Sequence, residues 1–189
     1  HSKVNADSIL VTKMFDLEKA HEHPMWAKEL YGFKDHVPET EEYGVASYVY
    51  RARSPFDPEA IHELLNSALP GVIRAKGHFW IATRPEWVAE YSLAGSLSSV
   101  APIGTWWASV PEERWPQDDG IRAYLKERWQ APWGDRRQEL VFIGSGIDWE
   151  NLKESLDACL VPEETARTWD AVPDMPDPFP HWRRSGQAS

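Results

Sequence analysis

Apolar and polar residues alternate through residues 45–53, and this pattern predicts a strand with one buried face. Tyr48 and Tyr50 fall on one face, whereas Arg51 and Arg53 fall mainly on the other. A period of two residues is typical of a half-buried strand, and tyrosine and valine are frequent in strands. We therefore expect a sheet whose second face carries cations.

Further alternating runs predict the rest of this sheet. The run 72–82 places two sets of residues on opposite faces: Ile73, Ala75, Phe79 and Ile81 on one, and Arg74, Lys76 and His78 on the other. Residues 87–93 alternate again, and a weaker run at 97–103 suggests another short strand. Residues 138–143 form a strongly apolar run that ends at the turn 144–146.

Helical spacing of apolar residues follows two N-cap signals. Asp57 and Pro58 supply an N-cap and a first helical position, and the helix that they begin stops before Pro70. Asp148 caps a later helix, whose apolar stripe consists of Trp149, Leu152, Leu156, Cys159 and Leu160. A shorter helix at 121–129, capped by Asp118 or Asp119, lies within a tryptophan-rich insert at 105–133.

The order of these elements predicts the fold class. No long helical crossover separates the second and third strands, so an antiparallel arrangement is favoured. We predict an α+β fold with a four- to five-stranded, mainly antiparallel sheet and two main helices packed on one face. This domain occupies residues 43–162. A linker-like lead-in, 1–42, precedes it, with short helices near 18–20 and 25–30. A proline-rich tail, 163–189, follows, and its four prolines exclude a regular helix or central strand.

Charge and composition narrow the functional classes. The 189 residues carry 20 basic and 30 acidic side chains, a net charge of −10, which disfavours nucleic acid as the main partner. No apolar run reaches the roughly 18 residues of a membrane span, and the first ten residues do not resemble a signal peptide. The single cysteine, Cys159, fits a reducing cytoplasm.

Motifs for nucleotide or nucleophilic chemistry are absent from the sequence. There is no G-x-x-x-x-G-K-[ST] loop and no G-x-S-x-G elbow, and the glycines at 144 and 146 are better explained by a turn than by a dinucleotide fingerprint. No nucleophile–base pair and no carboxylate pair stands out. We therefore predict no catalytic residue and no enzymatic activity for this chain alone.

Two kinds of residue are candidates for metal binding. His21 and His23 lie two positions apart, and Cys159 is the one thiol. Zinc usually requires three or four such ligands at fixed spacing, which this chain does not offer in sequence. The alternatives are a solvated polar turn before Pro24 and, for Cys159, a small buried apolar side chain.

The cations on the predicted strands are candidates for partner binding. Arg51, Arg53, Arg74, Lys76 and His78 share the less apolar face of the first two strands. Such a patch on an acidic protein could receive an acidic or phosphate-bearing partner, whereas ordinary exposed charges paired with local acids are the alternative. Arg136 belongs to a turn, 134–137, that we expect an Asp–Arg pair to hold, and it would brace this turn beside the partner-binding face.

Tryptophan is unusually frequent, with 11 residues. Core and rim packing is the favoured explanation, because each indole buries a large area at small entropic cost and can anchor irregular chain. An aromatic platform for carbohydrates or bases is the alternative. A tryptophan that stays exposed would mark a contact with a partner.

Several segments resemble the C-terminal domain of the CobW family, in which this domain follows a P-loop GTPase domain. The matching segments in the predicted domain are SYVYRARSPFDP at 47–58, RAKGHFW at 74–80, GDRRQELVFIG at 134–144 and LDACLV at 156–161. MFDLEKAHEHPMWAKELYG at 14–32 and HVPETEEYGV at 36–45 are similar to the segment that joins the two domains. WDAVPDMPDPFPHW at 169–182 is similar to the family's proline-rich tail.

The resemblance implies a regulatory and partner-binding role in a GTP-dependent metallochaperone. The family's GTP and magnesium sites and its Cys-x-Cys-Cys metal site belong to the GTPase domain, and no position here matches them. The implied partners are that GTPase domain and a client metalloprotein, with zinc as the favoured metal because the segments look most like the zinc-responsive members. Two alternatives remain: a direct zinc carrier that uses His21 and His23, and an activator of a metalloenzyme such as nitrile hydratase.

Overall fold

The computed structural model describes residues 44–183, and between them lies one five-stranded sheet with the order β1-β5-β2-β3-β4. The strands are β1 (Ala46–Ala52), β2 (Val72–Phe79), β3 (Trp87–Ala94), β4 (Leu97–Thr105) and β5 (Gln138–Gly144). Every neighbouring pair is antiparallel. β5 follows a long excursion from β4 and inserts between β1 and β2.

Helices occupy both sides of this sheet. They are α1 (Pro58–Asn66), α2 (Asp119–Arg128), α3 (Trp149–Ala158) and the one-turn α4 (Glu163–Ala166). Asp57, Asp118 and Asp148 cap the first three, since the carboxylate of each accepts a backbone N–H from the third residue after it. None of the helices between residues 44 and 183 has the length and apolar character of a membrane span.

The main core lies between one face of the sheet and the helices α1 and α3. Tyr50, Tyr91 and Phe142 project from the strands, and Ile61 and Leu156 meet them from the two helices; all five are at most 1% exposed. This arrangement confirms the predicted α+β fold with two main helices on one face. Tyr50 also donates a hydrogen bond to Asp157 Oδ1 at 2.8 Å, so the pairing of sheet and α3 has a polar component.

A second cluster holds the irregular segments in place, and it is built largely from tryptophan. Trp80, Trp106 and Trp133 are at most 7% exposed and pack with Val161 and Ala166. The rings of Trp80 and Trp133 lie 5.5 Å apart. This packing matches the anchoring role that the sequence predicts for tryptophan.

The segment before α1 is clamped between two other stretches of backbone. Phe56 forms isolated bridges with Ile81 and with Leu160, and its ring is fully buried. Asp57 donates its backbone N–H to the Cys159 carbonyl at 2.8 Å. The motifs at 47–58 and 156–161 therefore meet in space although about 100 residues separate them.

The proline-rich tail is fastened to the loop that precedes β3. Arg84 Nε donates to Asp177 Oδ2 at 2.8 Å and Arg84 Nη2 donates to Asp177 Oδ1 at 2.9 Å. The same guanidinium donates to the carbonyls of Phe179 and Pro180 and stacks over Trp182 at 4.4 Å. Phe179 is consequently 7% exposed and joins the main core.

Two sequence predictions about local structure are wrong. Ile73 is 54% exposed and not on the core face, because a register shift between Val72 and Arg74 inserts it as an extra residue. The tail contains a helical turn, α4, which forms because Glu163–Ala166 precedes the first tail proline. The short helices predicted near 18–20 and 25–30 lie outside the described residues.

Candidate partner-binding surface

The cations predicted for partner binding are divided among three environments. The first is an ion-pair network around Glu139 on β5. Strand register places Arg51 and His78 on either side of it, with Arg51 Nη2 at 3.5 Å and His78 Nε2 at 3.9 Å from its carboxylate oxygens. Arg137 Nε donates to Oε2 at 3.0 Å. Burial opposes ionisation of Glu139, but the bond from Arg137 and the surrounding cations lower its pKa below the usual value.

The second environment is the turn before β5, where two arginines hold backbone carbonyls. Arg53 Nη1 donates to the carbonyl of Arg136 at 3.1 Å. Arg136 Nε donates to the carbonyl of Pro85 at 2.6 Å, and its Nη2 donates to Ser109 Oγ at 2.7 Å. These contacts support the bracing role predicted for Arg136, and they give Arg53 a similar structural role.

The acid of this turn does not behave as the sequence predicts. Asp135 is 5% exposed, and its two carboxylate oxygens accept the backbone N–H groups of Trp107 and Ala108 at 3.0 and 2.9 Å. The prediction that an Asp–Arg side-chain pair holds this turn is therefore wrong. The carboxylate fixes the start of the tryptophan-rich insert because it satisfies two otherwise unpaired backbone donors.

The third environment is an exposed face of the sheet. Arg74 is exposed and has no ion pair among residues 44–183, and Lys76 makes a 3.4 Å pair with Glu90 while its side chain stays 54% exposed. Half-buried apolar side chains separate these cations from Arg51. We call this surface the open sheet face; it consists of Val49, Arg51, Arg74, Lys76, Val141 and Ile143.

His78 is separated from that surface, because it contributes to a cleft between the sheet and α2. The imidazole lies edge-on to Trp106, with ring centroids 5.7 Å apart, and its Nε2 is buried without a hydrogen-bond partner among the described residues. Burial and the charge of Arg137 lower the pKa of His78 to about 4. The side chain is therefore neutral at pH 7.

The cleft beside His78 has a volume of about 640 Å³. Val88 and Ile103 line its sheet side, and Ile121, Tyr124 and Leu125 line its helix side. This size falls within the range of about 300–1,000 Å³ that is typical of ligand pockets. No residue of the cleft except His78 belongs to the predicted partner-binding set, because α2 is brought to the sheet only by the tertiary fold.

Of the three candidate metal ligands, Cys159 is the one that lies within the described residues. Cys159 is 6% exposed, and its Sγ donates to the carbonyl of Ser155 at 3.2 Å. Burial and the nearby charges of Asp57 and Glu63 raise the pKa of the thiol to about 11. Between residues 44 and 183, no group of three His, Cys, Asp or Glu side chains is placed to hold a metal ion. His21 and His23 lie outside the described residues.

Gln138 is a buried polar residue that the periodicity does not reveal as important. It begins β5, is fully buried and forms side-chain hydrogen bonds to the backbone of Ser54 and Trp80. The signal in the sequence is a glutamine at the start of a strand that is apolar from Leu140 onward, which predicts that its amide must be satisfied internally.

The chain is similar in sequence to part of two longer proteins with zinc-related names. The zinc-regulated GTPase metalloprotein activator 1 of Dictyostelium discoideum is 41% identical over 180 residues, which are 89% of this chain and 37% of that protein. A zinc chaperone of Mycobacterium tuberculosis is 30% identical over 139 residues, 73% of this chain and 35% of that protein. The Zn(II)-bound YjiA GTPase of E. coli aligns with 62% of this chain and 30% of its own, at 17% identity and a TM-score of 0.42.

The described domain coincides with one family model. The chain spans 37% and 35% of the lengths of the two curated relatives. The model of the cobalamin synthesis protein CobW C-terminal domain matches residues 45–160, from just before β1 to just after α3. The chain therefore belongs to the CobW C-terminal domain family.

Proposed function

We propose that this chain is the regulatory, partner-binding domain of a GTP-dependent metallochaperone whose cargo is zinc. Its binding surface is the open sheet face, and its partners are a CobW-type GTPase domain in the same protein and a client metalloprotein. GTP and magnesium belong to the GTPase domain in this proposal. The chain itself performs no hydrolysis.

The observation that carries this proposal is the open sheet face itself. A two-layer α+β domain needs only one sheet face for its core, and here α1 and α3 cover that face. The other face keeps Arg74 and Lys76 exposed beside the half-buried apolar residues Val49, Val141 and Ile143. A mixture of apolar centre and charged rim is typical of protein interfaces.

The charge of the open sheet face favours partners with an acidic surface. The chain as a whole has a net charge of −10, yet the open sheet face exposes Arg74 without an ion pair among the described residues. A partner with an acidic patch would be attracted to this face and repelled by most of the remaining surface. Zinc as the cargo rests on the names of the two relatives, a zinc-regulated GTPase activator and a zinc chaperone.

A binding experiment with charge reversal tests the proposal. The chain is titrated by calorimetry with the GTPase domain of the Dictyostelium relative, loaded with GDP or with a non-hydrolysable GTP analogue. We expect binding that depends on the nucleotide. The Arg74→Glu/Lys76→Glu variant should weaken it by at least about tenfold, or about 1.4 kcal/mol. Higher ionic strength should weaken it further.

A matched control separates a specific surface from a general charge effect. Arg114→Glu/Arg167→Glu changes the net charge by the same amount at exposed positions of the insert and of α4's C-terminal end. This variant should bind within about twofold of the wild type. Absence of binding in both nucleotide states, or an equal loss in the control, would contradict the proposal.

A further inference from the structure

We propose that the cleft between α2 and the sheet is a second binding site, which takes a short peptide segment of a partner protein with an apolar side chain followed by a carboxylate. The cleft lies beside the open sheet face, but the observations that carry this proposal are different. It does not depend on Arg74 or Lys76, and it holds whichever partner the open sheet face receives.

Exposed apolar side chains concentrate around this cleft. Of the eight large hydrophobic residues in the described part of the chain that are most exposed, three line the cleft: Ile103 at 57%, Ile121 at 43% and Tyr124 at 50%. A fourth, Trp129 at 41%, follows the end of α2 and does not line the cleft. Isolated exposed apolar residues are ordinary, but a cluster around a concave surface indicates a binding site. Trp129 is the one tryptophan in the described region that is classed as exposed.

The geometry of α2 explains why these residues stay uncovered. Leu125 is the one buried residue of this ten-residue helix. Ile121, Tyr124 and Arg128 lie three and four positions apart, so they share the face that borders the cleft. α2 therefore buries one side chain, Leu125, in the domain. Its other large apolar side chains stay exposed and face Val88 and Ile103 across the cleft.

The floor of the cleft contains polar groups that lack partners. Trp106 is 3% exposed, and its Nε1 has no hydrogen-bond acceptor among the described residues. The Nε2 of neutral His78 beside it also forms no hydrogen bond among the described residues, although the carboxylate of Glu139 lies 3.9 Å from it. Buried polar atoms normally have hydrogen bonds, and leaving one unsatisfied costs about 1–3 kcal/mol. A peptide carbonyl that enters the cleft would supply the acceptor that the indole lacks.

The charge available to a ligand at one end of the cleft is positive. Arg128 stacks over Tyr124 with its Cζ 3.8 Å from the ring centroid, and its side chain is 37% exposed. Its ion pair is a 3.5 Å contact with the adjacent Glu127, which is 78% exposed and contributes little. Arg128 can therefore bind an external carboxylate.

The two acids that line the cleft are already engaged. Asp135 uses both oxygens for the backbone of the insert, and Asp118 accepts the Ile121 N–H at the opposite end of α2. An apolar side chain between Ile121 and Ile103, followed by a carboxylate at Arg128, matches this distribution of groups. A basic peptide would leave its charge without a partner there.

Peptide selection on the 189-residue chain tests the assignment. A random peptide library displayed on phage is selected on the wild-type chain and counter-selected on the Ile121→Asp variant. We expect the enriched sequences to share an apolar residue followed by Asp or Glu. A synthetic peptide of that consensus should shift the indole N–H resonance of Trp106, which is assigned by its loss in Trp106→Phe.

Variants of α2 locate the bound peptide. Ile121→Asp and Tyr124→Ala should weaken binding by at least about tenfold, whereas Ala123→Asp, on an exposed residue of α2 that does not line the cleft, should stay within about twofold. Arg128→Ala should weaken binding of the acidic peptide, and it should not change binding of the same peptide with Gln or Asn in place of the acid. Far-UV circular dichroism checks that each variant keeps its helices.

Several outcomes would overturn the proposal. Enrichment that Ile121→Asp does not remove, or an equal loss in Ala123→Asp, would show that the cleft is not the site. A lysine-rich consensus, or indifference to Arg128→Ala, would show that the partner chemistry is wrong. Self-association of the chain that Ile121→Asp abolishes would assign the cleft to a second copy instead.

Discussion

The side-chain amide of Gln138 forms hydrogen bonds with both backbone groups of Trp80. Its Oε1 accepts the Trp80 N–H at 2.9 Å, and its Nε2 donates to the Trp80 carbonyl at 3.1 Å. The same Nε2 donates to the carbonyl of Ser54 at 2.7 Å. Where β2 ends, the side chain of Gln138 therefore forms the hydrogen bonds that the backbone of a neighbouring strand would otherwise form. It links the segment that follows β1 to the segment that follows β2.

Removing this amide should destabilise the domain. We expect Gln138→Ala to lower the free energy of unfolding by roughly 3 kcal/mol, because the Trp80 N–H and the Ser54 carbonyl lose their partner, whereas the Trp80 carbonyl keeps the N–H of Phe56. Urea denaturation measures the change. Gln130→Ala, at an exposed glutamine, should change stability by less than about 0.5 kcal/mol. A loss below about 1 kcal/mol for Gln138→Ala would show that water takes over these bonds.

The close approach of β2 and β5 makes Gly77 hard to replace. A Cβ on Gly77 would lie 2.8 Å from the Cα of Leu140 and closer still to the carbonyl oxygen of Glu139. Since these are backbone atoms of β5, which is paired on both sides, they cannot rotate away. We expect Gly77→Ala to cost about 3 kcal/mol in thermal or urea unfolding.

Gly104 provides the control for that substitution. It also lies in a strand, β4, but a Cβ there would meet no atom within 4 Å. Gly104→Ala should therefore change stability by less than about 1 kcal/mol. Equal losses for both variants would mean that loss of glycine itself, and not the contact with β5, determines the effect.

The Arg84–Asp177 pair should decide whether the tail stays attached. Both side chains are about 15% exposed, and the pair is bidentate. Arg84→Lys keeps the charge but not the forked geometry, so we expect a loss of about 2 kcal/mol and faster chymotryptic cleavage after Trp182, which stacks on Arg84. Arg167→Lys, in an exposed pair with Glu163, should change neither measurement. Unchanged cleavage in Arg84→Lys would show that apolar packing alone holds the tail.

His78 should make stability depend on pH in the weakly acidic range. Its pKa is about 4 in the folded chain, against an ordinary value of 6.5, so the unfolded chain binds a proton first as the pH falls. The contribution is complete above pH 6.5 and decreases toward pH 4. Between pH 7 and pH 5 the wild type should lose about 2 kcal/mol more than His78→Gln, by urea denaturation at both values. Parallel curves would contradict the buried neutral imidazole.

Cys159 should be an unreactive thiol. Burial and a pKa of about 11 leave little thiolate at pH 7.5, so a disulfide reagent should label the folded chain at least about 100-fold more slowly than the urea-unfolded chain. Rapid labelling of the folded chain would contradict this.

Calorimetry with zinc tests the hypothesis that the chain is a direct zinc carrier. Stoichiometric sub-micromolar binding that His21→Ala/His23→Ala removes would favour that hypothesis, and Cys159→Ala should leave zinc binding unchanged.

Local features of the fold were predictable because they depend on neighbours in sequence. Asp57 and Asp148 are recognisable as N-caps since the cap and the N–H that it accepts are three residues apart. Tyr50 and Phe79 follow the alternation of their strands and are buried as predicted. Where one inserted residue broke the alternation, at Ile73, the prediction failed, because periodicity carries no information about a bulge.

The sequence by itself determined the strands, the two main helices with their N-caps, and the family resemblance. Only the tertiary structure placed β5 between β1 and β2, which brought Glu139 against Arg51 and buried His78 in its neutral form, so that part of the predicted cationic patch carries no free positive charge. The tertiary structure also carried α2 to the sheet and created the cleft. Periodicity reports which face of an element is buried, whereas its neighbours are set by contacts between residues far apart in the chain.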